Sequence, residues 1–332
     1  MHPNESLDQP GQQYVGLDQE VARAERAFVD RELTSWTSRP LRWSGGATRV
    51  IEAGAGEPLL MVHGGMGNAA DWAPLMARLA PTRRVLAVDR PGHGLATAFD
   101  YRGVDLSRHG VGFLSEIADA LRLTSVDVVA NSMGGNWAIA LAAARPELVR
   151  HLVLVGAPAG SQRWFPAKER VLGWPLVGDL VAAMVRRGTP ERTRSFWEGN
   201  IVAHPERLSR ELLEFATLAA RRNVGTWLSL IRNFATVGGV RSRYLVEPHL
   251  RRVRIPVSYV WGAQDAFDTP ARGRQLAAAG SSPGHVVVVP DAGHLPWIDE
   301  PDVVAGAVAA ALAGGDRDPA MRPTAERPSQ AG

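Results

Sequence analysis

The sequence has no cysteine among its 332 residues. Disulfide bridges, thiolate metal ligands and a cysteine nucleophile are therefore excluded. It also lacks a glycine-rich loop ending in Lys-Ser or Lys-Thr, and no spacing of histidines and carboxylates is typical of a metal site. We therefore expect neither a metal nor a cofactor.

Long apolar runs are also missing. No stretch reaches the ~20 apolar residues of a membrane-spanning helix. The segment Met1–Ser6 has no basic start followed by an apolar core, which is the pattern of a signal peptide. We therefore expect no transmembrane segment and a cytoplasmic location, with which the lack of cysteine is compatible.

Charge of one sign does not dominate, because the formal net charge is only +3. The basic residues are largely arginines, and they are scattered along the chain in pairs such as Arg186-Arg187 and Arg251-Arg252. Nucleic-acid binding would need a basic stripe on one face. We therefore expect a small-molecule substrate and no nucleic-acid partner, and the sequence leaves the oligomeric state open.

Short valine- and leucine-rich segments alternate with helical patterns along most of the chain. Such runs are typical of strands buried on both faces of a sheet. The alternation predicts an α/β fold with a mostly parallel, doubly wound sheet. The predicted sheet strands are Arg49–Ala53, Leu59–Val62, Val85–Val88, Val126–Ala130, Leu152–Val155, Val257–Val260 and Val286–Val289, preceded by an antiparallel strand near Leu41–Ser44. The predicted helices between them are Trp72–Leu79, Val104–Leu121, Ser132–Ala144, Ala271–Ala278 and Pro301–Leu312.

This alternation fails between Ala159 and about Val253, where the chain is helical in pattern, arginine-rich and contains four tryptophans. An insertion after a strand lies above the carboxyl ends of the sheet, where a lid would cover a site. We expect a disordered segment 1–16, a helix 17–36, an α/β core 37–158 and 254–313, a helical cap 159–253 and a disordered tail 314–332.

One part of the predicted cap, Val171–Val185, has an apolar stripe. The stripe has two interpretations: it packs on the main domain, or it forms an interfacial helix that meets lipid. Pro175 and Gly178 weaken the second interpretation because both residues disfavour a helix interior.

A serine follows one of the predicted strands. The stretch Val128–Gly135 reads Val-Val-Ala-Asn-Ser-Met-Gly-Gly, so a β-branched run stops at small residues. A serine at a sharp strand-to-helix turn holds its hydroxyl above the sheet edge, and its neighbours two positions away must be small. Ala130 and Gly134 occupy those positions. Ser132 is therefore a candidate nucleophile, and a helix N-cap is the alternative interpretation.

Three further loops also follow buried-strand patterns. The glycine-rich loop His63–Gly67 follows one strand, and such glycines let main-chain N–H groups face a cleft, as an oxyanion hole requires. Asp265 and His294 follow two later strands. A serine, an aspartate and a histidine in this chain order, each just past a strand end, indicate a catalytic triad.

Other residues near these loops have competing interpretations. Asp268 is a second candidate for the acid, but it precedes Thr-Pro and resembles a helix cap. Asp291 is a third, although it is too near His294 in sequence to reach the far ring nitrogen easily. His63 and His93 flank glycines, and we interpret both as structural.

Together these motifs resemble the α/β-hydrolase fold family. The resemblance extends from about Leu41 to about Leu312. Besides the serine and glycine-rich motifs, it rests on Val88–Gly94, Trp261–Asp265 and Gly293–Pro296. A serine at position 132 disfavours the epoxide hydrolase and haloalkane dehalogenase branches, which would have an aspartate there.

Within the family, Asn131–Gly135, His63–Gly65 and Trp297 are similar to the serine-dependent hydrolases that cleave a carbon–carbon bond of vinylogous 1,5-diketones. Met66–Asn68 stands where those enzymes would have Gly-Pro-Gly. Cleavage of such a diketone and simple ester hydrolysis therefore both stay open.

The resemblance implies a division of roles in the site. Ser132 would attack the acyl carbon, His294 would accept its proton, and Asp265 would orient and stabilise the imidazole. The oxyanion would be held by the backbone N–H groups of Met133 and Gly65, or of Met66 in place of Gly65. A non-catalytic protein that binds a small ligand on the same fold is the alternative function.

Overall fold

The computed structural model describes residues 11–164, 172, 174–281 and 284–314. Its strands are β1 (Thr37–Trp43), β2 (Gly46–Ala53), β3 (Pro58–Val62), β4 (Arg84–Val88), β5 (Val126–Ala130), β6 (Val149–Val155), β7 (Ala235–Thr236), β8 (Gly239–Val240), β9 (Val257–Gly262) and β10 (His285–Val289). Its α-helices are α1 (Gly11–Glu32), α2 (Ala73–Leu79), α3 (Leu106–Ala120), α4 (Ser132–Ala144), α5 (Pro175–Arg186), α6 (Pro190–Glu198), α7 (Arg210–Phe234), α8 (Glu247–Leu250), α9 (Pro270–Ala279), α10 (Pro296–Asp299) and α11 (Pro301–Leu312). Short 3-10 helices occur at Ala69–Trp72, Pro205–Arg207 and Ser242–Tyr244.

Eight strands form one sheet in the order β1-β2-β4-β3-β5-β6-β9-β10. The pairs β1·β2 and β2·β4 are antiparallel, and every pair from β4 to β10 along that order is parallel. The predicted fold class is therefore confirmed. The carboxyl ends of the parallel strands meet along one edge, and in such sheets that edge is where ligands bind.

The sheet is covered on both faces, as its valine-rich strands predict. Alternate residues of one strand enter opposite layers, because successive side chains of a strand point to opposite faces. Leu60 of β3 and Val128 of β5 belong to one buried cluster, whereas Leu59 and Val129 belong to the other. All five residues of β5 are buried. The strand that leads to Ser132 is therefore held rigidly in the centre of the molecule.

The N-terminal helix differs from the prediction. Helix α1 begins at Gly11 and ends at Glu32, so residues 11–16, predicted to be disordered, are helical. The rings of Phe28 and Phe215 stack at 6.0 Å, and Asp18 pairs with Arg222 of α7 at 2.6 Å. These long-range contacts hold the predicted part of the helix, 17–32, against α7. Residues 1–10 and 315–332, also predicted to be disordered, lie outside the described residues.

The insertion between β6 and β9 is mostly helical where it is described. The long helix α7 lies at its centre, and α5 and α6 pack against it. Ala182 of α5 is buried against Val224 and Leu228 of α7. Along the described part of the chain, no helix combines the length and apolar character needed to cross a bilayer.

Candidate active site

Ser132 occupies a strained turn between β5 and α4. Its φ is +49°, in the left-handed region that a non-glycine residue rarely adopts. A Cβ at Gly134 would lie 2.3 Å from the main-chain oxygen of Val62, so only glycine fits there. The loop after β3 approaches from the other side, because a Cβ at Gly64 would lie 3.0 Å from Cβ of Ser132. The turn is thus compressed against the strand and loop beside it, and such strain clusters at functional sites.

His294 and Asp265 are joined directly. Nδ1 of His294 lies 3.0 and 2.9 Å from the two carboxylate oxygens of Asp265. Asp265 also accepts from the main-chain N–H groups of Ala157 and Phe267, each at 2.9 Å. Both side chains are buried. Because Nδ1 faces a carboxylate, it is the protonated ring nitrogen, and Nε2 is left to accept a proton.

The other two candidate acids lie elsewhere. Asp268 accepts from Oγ of Ser161 at 2.5 Å and from the N–H of Thr269 at 2.8 Å. Asp291 is exposed. Of the three aspartates weighed from the sequence, the structure places Asp265 against the imidazole of His294.

The glycine-rich loop after β3 is held by a buried arginine that sequence reasoning missed. Nη2 of Arg90 donates to the carbonyl oxygens of Gly64 and Gly65. The N–H of Arg90 donates to Nε2 of His63 at 2.9 Å, so Nδ1–H of His63 donates to the oxygen of Gly64. Burial lowers the pKa of His63 well below its ordinary range, which keeps its ring neutral. Hydrogen bonds from the side chains of Arg90 and His63 therefore hold the carbonyl oxygens of Gly64 and Gly65 in place.

His93 has similar surroundings. It is buried, its Nδ1–H donates to the oxygen of Pro91 at 3.0 Å, and its ring lies 5.4 Å from that of His63. Burial lowers the pKa of His93, and the nearby charge of Arg90 lowers it further. Main-chain bonding of this kind is what we expect of structural histidines.

A cavity of about 530 Å³ brings together the loops that follow five strands of the sheet, β3, β5, β6, β9 and β10. Ser132, Met133, Gly65 and His294 all line it, and Asp265 lies behind His294. The helical insertion supplies a mostly apolar wall, whose members include Leu172, Val181, Met184, Phe196, Trp197, Trp227 and Phe234. The five residues predicted from sequence to form the site therefore lie in or against one cavity.

The four tryptophans of the insertion divide into two groups. Trp197 and Trp227 line the cavity. Trp164 and Trp174 are exposed and lie away from its wall. The number of tryptophans in the insertion therefore does not show how many of them face the cavity, because composition alone does not give the direction of a side chain.

Two further side chains, both missed from sequence, brace the histidine loop. The side-chain amide of Asn131 donates to the carbonyl oxygens of Val155 and His294, at 2.7 and 3.2 Å. The carboxylate of Asp299 accepts from the N–H of Gly293 at 2.8 Å and from that of His204 at 2.9 Å. Asp299 thus ties the histidine loop to the helical insertion. Its position just before Glu-Pro resembles an ordinary helix start, so the sequence carried no signal of this role.

The cavity also contains an unusual acid. Asp71 is buried beside it, and burial raises the pKa of its carboxyl to about 7, although the N–H of Asn68 donates to it at 2.8 Å. Across the parts of the chain that the structure describes, no three histidine or carboxylate side chains are grouped so that they could hold a metal ion.

Comparison with known proteins agrees with this architecture. A model of the "Alpha/beta hydrolase family" matches residues 59–307. The chain is 43% identical over 129 residues to a 2-hydroxymuconate semialdehyde hydrolase of Pseudomonas sp. (strain CF600), which is 37% of this chain and 43% of that relative. It is 30% identical over 259 residues to the dihydrolipoyllysine-residue acetyltransferase component of the acetoin cleaving system of Pseudomonas putida, which is 77% of this chain and 62% of that relative. Both matches cover less than two thirds of the relative's length.

Among solved structures, carboxylesterase CesB (YbfK) from Bacillus subtilis superposes with a TM-score of 0.71 at 20% sequence identity. The superposition covers 90% of this chain and 99% of that one. At this level of identity the likeness shows the fold.

Proposed function

Because the chain belongs to the alpha/beta hydrolase family, we propose that it is a serine hydrolase of small acyl substrates, either esters or vinylogous 1,5-diketones. One observation carries the proposal. The imidazole of His294, held by Asp265 at 2.9 Å, lines the same cavity as Ser132 in its strained turn. A serine hydroxyl needs such a base beside it to act as a nucleophile, and His294 is the histidine of this cavity that we propose for the role.

In the proposed reaction, Oγ of Ser132 attacks the substrate carbonyl carbon and its proton passes to Nε2 of His294. Asp265 stabilises the resulting imidazolium. The N–H groups of Met133 and Gly65 stabilise the negative oxygen of the tetrahedral intermediate, and one such donor typically contributes about 3 kcal/mol. The intermediate collapses when the leaving alcohol, or the leaving carbon of a diketone, takes the proton from His294.

Water completes the cycle. It attacks the acyl group on Ser132 while His294 takes one of its protons, and the acid is then released with the serine restored. An apolar substrate group seated on the mostly apolar wall of the cavity would displace water from the site, which strengthens the electrostatic contacts to the developing charge.

The cavity indicates which substrates fit. We propose that residues 159–253 act as a cap whose apolar wall receives the acyl or aryl part of the substrate. Arg192 of this segment also lines the cavity, and along the described chain its guanidinium is in no ion pair. Arg192 is exposed and therefore solvated in the free chain, and an acidic substrate group that enters the cavity would pair with it. Muconate is a carboxylate, so the relative named as a 2-hydroxymuconate semialdehyde hydrolase supports a substrate with such a group.

Labelling with a fluorophosphonate tests the nucleophile. Intact-mass measurement should show one adduct that maps to Ser132, and Ser132→Ala should not be labelled. Ser161→Ala is the matched control, because Ser161 lines the same cavity but bonds to Asp268. That variant should be labelled like the parent chain. An adduct on another serine would overturn the assignment of Ser132.

Turnover separates hydrolysis from ligand binding. The purified chain is incubated with aryl esters, lactones and a vinylogous 1,5-diketone acid, each with Ser132→Ala in parallel. Turnover that disappears in Ser132→Ala supports the hydrolase, and the substrate turned over decides between ester and carbon–carbon cleavage. Binding of these compounds with no turnover in the parent chain would favour the non-catalytic alternative.

A further inference from the structure

Helix α5 presents an apolar face to solvent beside the candidate cavity. Leu176, Leu180 and Met184 are 87, 64 and 58% exposed. They are spaced by four residues, which places them in one stripe along the helix. The opposite face is the packed one, because Ala182 is buried against α7. A helix on the surface of a soluble domain normally has charged or polar residues where this one has leucines.

The charges around this stripe are basic. Arg186 and Arg187 are exposed at the carboxyl end of α5, and neither is in an ion pair with any residue that the structure describes. The single acid of the helix, Asp179, pairs with Arg232 at 2.8 Å. Trp174, half exposed, stands at the start of the helix. Apolar residues flanked by arginines and an aromatic side chain are the composition of helices that lie in a membrane interface.

The stripe is continuous with the wall of the cavity. Met184 and Phe196 line the cavity and are also exposed. Val181 and Val185, on the adjoining side of α5, line it too. A surface that covers the stripe would therefore lie against the mouth of the cavity.

We infer that the stripe Leu176, Leu180 and Met184, with Arg186 and Arg187, docks on an anionic lipid surface. Such a surface buries the three apolar side chains and supplies negative headgroups to the two unpaired arginines. A second copy of the chain satisfies the charges less well. Two stripes in contact would offer these arginines no free acid, because the single acid of each helix is already paired. The inference concerns binding and does not depend on the proposed nucleophile.

Vesicle co-sedimentation of the full chain tests the inference. The vesicles are phosphatidylcholine alone or phosphatidylcholine mixed with phosphatidylglycerol. We expect binding to the mixed vesicles and weaker binding to phosphatidylcholine alone. Added salt should reduce binding to the mixed vesicles, because it screens the arginines.

Two sets of variants separate the apolar and charged contributions. Leu176→Ser/Leu180→Ser leaves the net charge unchanged and should lower partition into mixed vesicles by about tenfold or more. Arg186→Gln/Arg187→Gln should remove the preference for phosphatidylglycerol. The matched control is Val303→Ser on α11, because Val303 is 48% exposed but lies outside the stripe. Its partition should equal that of the parent chain.

Three outcomes would overturn the inference. In the first, the parent chain binds neither kind of vesicle. In the second, Leu176→Ser/Leu180→Ser binds mixed vesicles as well as the parent chain does. In the third, the parent is a dimer in analytical ultracentrifugation and Leu176→Ser/Leu180→Ser is a monomer, which would assign the stripe to a second copy. Ser132→Ala is measured alongside and should bind vesicles like the parent, so failure of the proposed chemistry is distinguishable from failure of docking.

Discussion

Nη2 of Arg90 donates to the carbonyl oxygens of both Gly64 and Gly65, at 2.5 and 3.0 Å. The side chain is fully buried, and its guanidinium lies 4.9 Å from the ring centre of Trp137. Burial lowers the pKa of Arg90 to about 10. A buried cation is costly unless it makes strong bonds. Here those bonds orient the two peptide groups from which we expect an oxyanion donor.

Arg90 is therefore expected to act as a positioning residue. Arg90→Met should fold, because an apolar side chain of similar length replaces a costly buried charge. Its kcat on an aryl ester should fall by about 10- to 100-fold with little change in KM, because the loop loses the bonds that hold an oxyanion donor in place. The exposed Arg108 provides the control Arg108→Met. If Arg90→Met instead raised KM by about 10- to 100-fold and left kcat unchanged, Arg90 would affect substrate binding alone.

Asp265 and Asp268 give a direct test of the acid. Asp265→Asn should reduce kcat by about 10⁴-fold, because the imidazole of His294 loses both its orienting charge and its preferred tautomer. Asp268→Asn keeps an acceptor for Ser161 and should reduce kcat much less. Circular dichroism checks that both variants fold. Severe loss in Asp268→Asn with a mild effect of Asp265→Asn would reverse the assignment.

Arg192 should select for acidic substrates. Arg192→Gln should lower kcat/KM by about tenfold for a substrate that has a carboxylate remote from the reacting carbonyl, since a charge-assisted hydrogen bond is lost. The kcat/KM for a neutral ester of similar size should stay the same. The exposed Arg274 of α9 supplies the control Arg274→Gln, for which neither substrate should change. Equal losses for the acidic and the neutral substrate would contradict this role.

Asp71 should make stability depend on pH. Burial raises the pKa of its carboxyl from the ordinary 3.8 to about 7 in the folded chain, so the folded state holds the proton more tightly than the unfolded state. Stability is therefore lost as pH rises from about 4 to about 7. Asp71→Asn removes this loss.

The free energy of unfolding in urea measures the effect. The gain of Asp71→Asn over the parent chain should be larger at pH 8 than at pH 5 by about 2–3 kcal/mol. The exposed Asp119 of α3 provides the control Asp119→Asn, whose difference from the parent should be the same at both pH values. A gain of Asp71→Asn that does not change with pH would show that its carboxyl titrates normally.

Local patterns in the sequence determined much of the architecture. The strand Val126–Ala130 and the helices Ser132–Ala144 and Pro301–Leu312 have the predicted bounds. Buried parallel strands are continuous apolar runs, and turns need small residues at particular positions, so both can be recognised within about ten residues of chain. The turn at Ser132 is of this kind.

Only the tertiary structure decided which side chains meet. Asp265 rather than Asp268 contacts His294, two of four tryptophans face the cavity, and Arg90 reaches a loop 25 residues earlier. The packing of α1 on α7, where Phe28 stacks on Phe215, likewise joins elements far apart in the sequence. Local propensity carries no information about such contacts, since they depend on how distant elements are placed and on which face of each element is covered.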